Sequence, residues 1–158
     1  MRILSLPVLG LVLLALSTSA FASGKHMVTY TSKQDFEFVK SAINEAIIEK
    51  GLVINTTSHI GDMLERTGAV VKNAKHIFNK AESYEFCSAT VSRLTMEADP
   101  HNIVFCPYII SVYVLPNEPN KTYISFRKPE ADDASPASKL ALMQVEKLLR
   151  SIVEEAIQ

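Results

Sequence analysis

Cys87 and Cys106 are the residues of this sequence with the clearest potential for chemistry, and they are its only cysteines. Their separation of 19 positions matches no zinc-ligand spacing. The absence of C-x-x-C and C-x-x-C-H excludes a thioredoxin-type centre and covalent attachment of c-type haem. Three states remain open for the pair: a structural disulfide, two buried unpaired thiols, or a functional pair that binds a metal or exchanges electrons.

The flanking residues suggest how each sulfur is placed. Cys87 directly precedes Ser88, the N-cap expected for a short helix. A thiolate there would lie near the positive end of the helix dipole, which lowers a thiol pKa and favours a nucleophile or metal ligand. Cys106 lies between Phe105 and Pro107 in an apolar stretch expected to be a strand. A strand–helix–strand unit can place the two strands side by side, so we expect the sulfurs within bonding reach.

His101 is a weaker candidate for a metal ligand. With Glu97 and Asp99 it could form an oxygen and nitrogen ligand set near Cys106. Solvated residues at a helix end are the simpler interpretation of the same pattern. The sequence contains no G-x-G-x-x-G, P-loop, G-x-S-x-G or H-E-x-x-H motif, so it identifies no catalytic residue.

Charge and length limit the classes of function. The chain has 158 residues, 16 Lys and Arg against 17 Asp and Glu, and a formal net charge of −1. This balance predicts neither a nucleic-acid-binding surface nor a polybasic membrane-binding surface. The length predicts one domain.

The amino terminus has the pattern of an export signal. Arg2 precedes the apolar stretch 3–16, and Ala20-Phe21-Ala22 fits the A-x-A cleavage pattern. We therefore expect a signal peptide over residues 1–22, cleaved between Ala22 and Ser23. The mature domain, residues 23–158, would then be periplasmic or secreted, without a membrane span, where disulfides persist.

The remaining pattern predicts a single α+β domain with helices packed on a mixed sheet. A capping box beginning at Ser32 opens a first helix that ends at Gly51, and Pro136 opens a long C-terminal helix. Between them the pattern predicts strands at 52–57, 84–87, 103–115 and 122–126, and helices at 58–71 and 88–98. The last two strands should form a hairpin, and Pro107 requires a bulge or an edge position.

Several segments together resemble the domain-of-unknown-function family 302 (DUF302). They are EKGLVI, HIGDMLERTG, YEFCSATVS and EADPHNIVFCPYIISVYVL. The most specific likeness is two cysteine-bearing segments that flank a short helix ending in Ala-Asp-Pro, which matches Cys87 and Cys106. The resemblance implies a compact α+β fold, often paired into homodimers, and no established activity.

Two functional hypotheses follow. The first is an exported, non-catalytic binding module for a small ligand, a metal or a partner protein. The second is a thiol-based redox protein in which Cys87 attacks and Cys106 resolves. The pKa of Cys87 distinguishes them, because a nucleophilic thiol requires a value well below about 8.5. The sequence names no cofactor.

Overall fold

The computed structural model describes residues 21–24 and 26–158. One antiparallel sheet and the helices packed on it form a single α+β domain with a long C-terminal helix. The strands are β1 Phe21–Ser23, β2 Met27–Ser32, β3 Val53–Ser58, β4 Lys80–Cys87, β5 Tyr108–Val114 and β6 Thr122–Arg127. The helices are α1 Phe36–Glu49, α2 Ile60–Gly68, α3 Ala89–Ala98 and α4 Pro136–Ala156, with a 3-10 helix at Pro100–Phe105.

The sheet is antiparallel throughout the described residues, with the strand order β1-β2-β6-β5-β4-β3. The expectation of a mixed sheet is therefore wrong, whereas the β5–β6 hairpin is confirmed. The physical reason lies in the connection from β4 to β5. After β4 the chain passes through α3 and the 3-10 helix and comes back to the same end of β4, where Cys106 lies beside Cys87. From that point β5 must run in the direction opposite to β4.

The core lies between one face of the sheet and the helices α1 and α4. Alternate residues of β5 are buried, from Tyr108 through Ile110 and Val112 to Val114. Such alternation is typical of a sheet with one covered face. The opposite face carries polar pairs, including Ser83 with Ser111 at 2.8 Å.

Both ends of α1 follow the chemistry of helix caps. Asp35 is the N-cap, because its Oδ1 accepts a hydrogen bond from the Phe38 N–H at 3.0 Å. Ser32 instead accepts from the Gln34 N–H at 3.1 Å, so the helix begins later than the predicted capping box. Gly51 follows the helix with φ +72°, a left-handed conformation that favours glycine.

The second helix is shorter than predicted and buries none of its residues fully. It ends at Gly68, and Val70 and Val71 are exposed. The helix lies very close to β4 at Gly61, where an added Cβ would lie 2.9 Å from the backbone nitrogen of Ala81. Only glycine allows this contact without displacement of the helix.

The largest local difference from the predicted elements concerns the segment 103–115. Its first part belongs to the 3-10 helix Pro100–Phe105, and the strand begins at Tyr108. Cys106 therefore precedes β5 and does not lie within a strand. Pro107 needs no bulge, because it precedes β5 and lies outside the hydrogen-bonded strand.

The predicted export signal falls mostly on residues 1–20, which lie outside the described residues. The expected cleavage point between Ala22 and Ser23 lies in β1, whose backbone pairs with β2. No helix in the described ranges is long and apolar enough to cross a membrane.

Candidate functional site

The two cysteines meet at one end of the sheet. Cys87 is the last residue of β4, and Cys106 directly follows the 3-10 helix. The segment between them therefore begins and ends at the same end of the sheet. Their Sγ atoms lie 3.0 Å apart, and both residues are half-buried unbonded thiols. The sulfur atoms are thus close together, as the strand–helix–strand pattern predicted.

Two hydroxyl groups extend this thiol pair. Ser92 Oγ lies 3.7 Å from Cys106 Sγ and 3.1 Å from the hydroxyl of Tyr108. Tyr108 is 3% exposed, and its ring packs edge-on against Phe86. The sequence pattern did not single out Ser92, although it lies four residues after the N-cap Ser88 and so on the same face of α3.

The surroundings of Cys87 disfavour a thiolate. Burial, a hydrogen bond with Cys106 and the charge of a neighbouring Cys106 thiolate raise the pKa of Cys87 to about 11. A hydrogen bond with the Tyr108 backbone acts in the opposite direction but is outweighed. The lowered pKa expected from the start of α3 is therefore absent, and at neutral pH Cys87 is a protonated thiol.

The 3-10 helix that presents Cys106 is fixed by a buried polar group, Asn102, which is 3% exposed. Its Nδ2 donates to the Thr95 carbonyl at 2.9 Å and to Ser138 Oγ at 2.8 Å. The hydroxyl of Ser138, which is fully buried on α4, also lies 3.1 Å from Asn102 Oδ1. This network joins the 3-10 helix to α3 and α4, and sequence reasoning missed it.

His101 is exposed, next to Asn102, and its backbone N–H is bonded to Asp99 Oδ1 at 2.9 Å. In the described part of the chain, no three or more His, Cys, Asp or Glu residues are grouped to hold a metal ion. The candidate ligands Cys87, Cys106 and His101 are therefore not grouped together in the described residues, and neither are Glu97, Asp99 and His101. A position at the start of the 3-10 helix directs His101 to solvent, whereas Asn102 points inward.

A cavity of about 380 Å³ lies next to the thiol pair. The cavity opens where the neighbouring central strands β5 and β6 separate. The described pairing of β5 with β6 ends at Ser111 and Ser125. Beyond that point residues 108–110 pair only with β4, and residues 126–127 pair only with β2. The facing backbone edges of β5 and β6 are thus not paired with each other at this end of the sheet.

The walls of this cavity come from both faces of the sheet. Val145 and Leu149 of α4 close it on the core side, and Ser111 and Ser125 line it on the open side. Residues 104, 105 and 107 close the end next to Cys106, so the cavity and the thiol pair share one segment. The composition of the lining is mainly apolar, which is typical of sites for small molecules.

The ionised residues of the lining are both basic, Arg127 and Lys128. Lys128 Nζ lies 3.4 Å from Glu130 Oε1. Within the described ranges, no carboxylate lies within ion-pairing distance of Arg127. The cavity is therefore positively charged within a protein of net charge −1.

A second cavity, of about 300 Å³, is polar and lies between α2 and β4. On its wall, Glu82 accepts from the hydroxyl of Tyr84 at 2.6 Å and from Lys40 Nζ at 3.3 Å. Burial opposes ionisation of Glu82, but these two hydrogen bonds outweigh it and lower its pKa. Because the charges of this wall satisfy one another, we interpret the cluster as a structural ion-pair network.

The family to which the chain belongs follows from comparison. A model of the family described as "Domain of unknown function DUF302" matches residues 28–156. The chain belongs to this family. The match runs from the second residue of β2 to the end of α4 and includes both cysteines and all the cavity-lining residues except His26 and Met27.

A solved DUF302 protein has the same fold. The crystal structure of an uncharacterized conserved DUF302 protein from Bacillus stearothermophilus superimposes with a TM-score of 0.70 at 17% identity. The alignment covers 84% of this chain and 99% of that chain. At this identity the likeness shows the fold alone. No curated protein matches the chain.

Proposed function

We propose that this DUF302 protein is a non-catalytic binding module that holds a small ligand in the cavity between β5, β6 and α4. The observation that carries this proposal is the separation of β5 from β6 beyond Ser111 and Ser125. A paired sheet would satisfy its own backbone groups there, whereas the open edges leave those groups to bond water or a ligand. The resulting space of about 380 Å³ is within the range of small-molecule sites.

Export is a second part of the proposal. The signal pattern that ends at Ala22 supports cleavage before Ser23 and delivery to the periplasm or the exterior. Amino-terminal sequencing of protein from the extracytoplasmic fraction should begin at Ser23. Recovery of intact Met1 from the membrane fraction would contradict this.

A redox function is the second candidate, because the sulfurs of Cys87 and Cys106 lie 3.0 Å apart. An oxidant of the export compartment would remove two electrons and two protons to join them in a disulfide. The raised pKa of Cys87 disfavours exchange at that sulfur, because thiol–disulfide exchange proceeds through the thiolate.

Binding is tested by filling the cavity from an exposed position. Val104 lines the cavity and is 74% exposed, so Val104→Trp adds bulk at its wall without overpacking the core. We expect the affinity for the neutral probe 1-octanol, measured by titration calorimetry, to fall at least tenfold. Amide shifts of Ile109 and Phe126 on titration would locate the probe.

Ile103→Trp provides a matched control. Ile103 lies in the same 3-10 helix and is 60% exposed, but it does not line the cavity. This variant should bind 1-octanol as the unaltered protein does. Equal affinity in both tryptophan variants, or absence of any 1-octanol binding, would overturn the proposed cavity.

A further inference from the structure

We infer that the ligand of the cavity is an amphipathic monoanion, an apolar body that ends in a carboxylate, whose charged end is bound at Arg127. This inference rests on the proposed function and adds the chemical class of the ligand. It combines three features of one site: the charge of the rim, the apolar interior, and the open backbone edges.

The rim selects for negative charge. Arg127 is the last residue of β6, lies at the mouth of the cavity, and has no carboxylate partner in the described part of the chain. None of the lining residues is acidic, and Lys128 adds a second cation whose contact with Glu130 is long, at 3.4 Å. A guanidinium presents paired N–H donors that match a carboxylate in bidentate geometry.

The interior selects for an apolar body. Phe126, Val145 and Leu149 form the floor, and each is at most 3% exposed. At the packing density of protein interiors, a space of about 380 Å³ holds on the order of 10–15 non-hydrogen atoms. A medium-chain or aromatic carboxylate therefore fits the cavity, whereas a nucleotide is too large and too polar for its walls.

The separated strands strengthen the assignment. Residues 108–110 pair with β4 and residues 126–127 with β2, and the two segments are not paired with each other across the gap. An N–H group on either edge would be a further donor beside Arg127, and oxygen atoms of a carboxylate accept from both kinds of donor.

Three probes of equal chain length separate the contributions: octanoate, 1-octanol and octylammonium. Calorimetric titration of the purified protein at low salt should give an affinity for octanoate about tenfold higher than for 1-octanol, a difference of about 1.4 kcal/mol. Octylammonium should bind more weakly than 1-octanol. Added salt should weaken binding of octanoate only, because it screens the rim charge.

Arg127→Gln tests the named residue, and Arg66→Gln is the matched control. Arg66 is an exposed arginine of α2 that does not line the cavity. Arg127→Gln should remove the preference for octanoate and leave the 1-octanol affinity unchanged, whereas Arg66→Gln should change neither. Equal binding of all three probes, or an unchanged preference in Arg127→Gln, would overturn the anion assignment while the binding module stands. Absence of binding by every probe would overturn both.

Discussion

Reduction of a disulfide between Cys87 and Cys106 is expected to lower the free energy of unfolding by about 3 kcal/mol. The bond would close a loop of roughly 20 residues, and such a cross-link restricts the unfolded chain by about this amount. For a domain of this size the corresponding fall in Tm is about 10 °C. Thermal unfolding with and without dithiothreitol, after oxidation of the purified protein, measures the effect.

The double variant Cys87→Ala/Cys106→Ala is the control for this prediction. Its Tm should not respond to dithiothreitol, because it contains no other thiol. Its stability should lie near that of the reduced protein. If the oxidised and reduced proteins unfold at the same temperature, the sulfurs do not form a stabilising bond, and two buried thiols become the better description.

Asn102→Ala is expected to lower the free energy of unfolding by about 3 kcal/mol, although position 102 lies outside the sheet and helices α1–α4. The substitution leaves the fully buried hydroxyl of Ser138 without the side chain that it contacts at 2.8 and 3.1 Å. A buried polar group without a partner costs about 1–3 kcal/mol, and lost packing adds to this. Denaturant unfolding measures the loss.

The neighbouring residue supplies the control. His101→Ala changes an exposed side chain and leaves the backbone contact with Asp99 intact, so its effect should be below about 0.5 kcal/mol. The double variant Asn102→Ala/Ser138→Ala should cost less than the sum of the single variants, because it removes both members of the buried pair. Additive losses would contradict the proposed coupling.

Much of the fold follows from local chemistry in the sequence. Ser88 and Ser135 begin helices because their hydroxyls accept backbone N–H groups, and Asp99-Pro100 ends α3 because the residue before proline avoids the helical region. These signals depend on residues within one turn of each other. For the same reason, the start and end of α3 and the hairpin β5–β6 were predicted correctly.

The errors arise where distant contacts outweigh local preference. Residues 103–105 are β-branched or aromatic, and such residues predict a strand, yet they form part of a 3-10 helix. Asn102 stabilises that helix by contacts with Thr95 and Ser138, and Ser138 lies 36 positions away. A local pattern contains no information about such a partner.

At the candidate sites, too, local sequence predicted some features and distant contacts determined the others. Sequence by itself determined that the two cysteines flank one short helix, which made their proximity predictable from chain connectivity. Only the tertiary structure decided that Cys87 is a protonated thiol, because burial and the second sulfur outweigh the effect of the helix start. The cavity likewise exists only after β5 and β6 separate above α4, a consequence of how three distant segments pack, and no run of neighbouring residues encodes it.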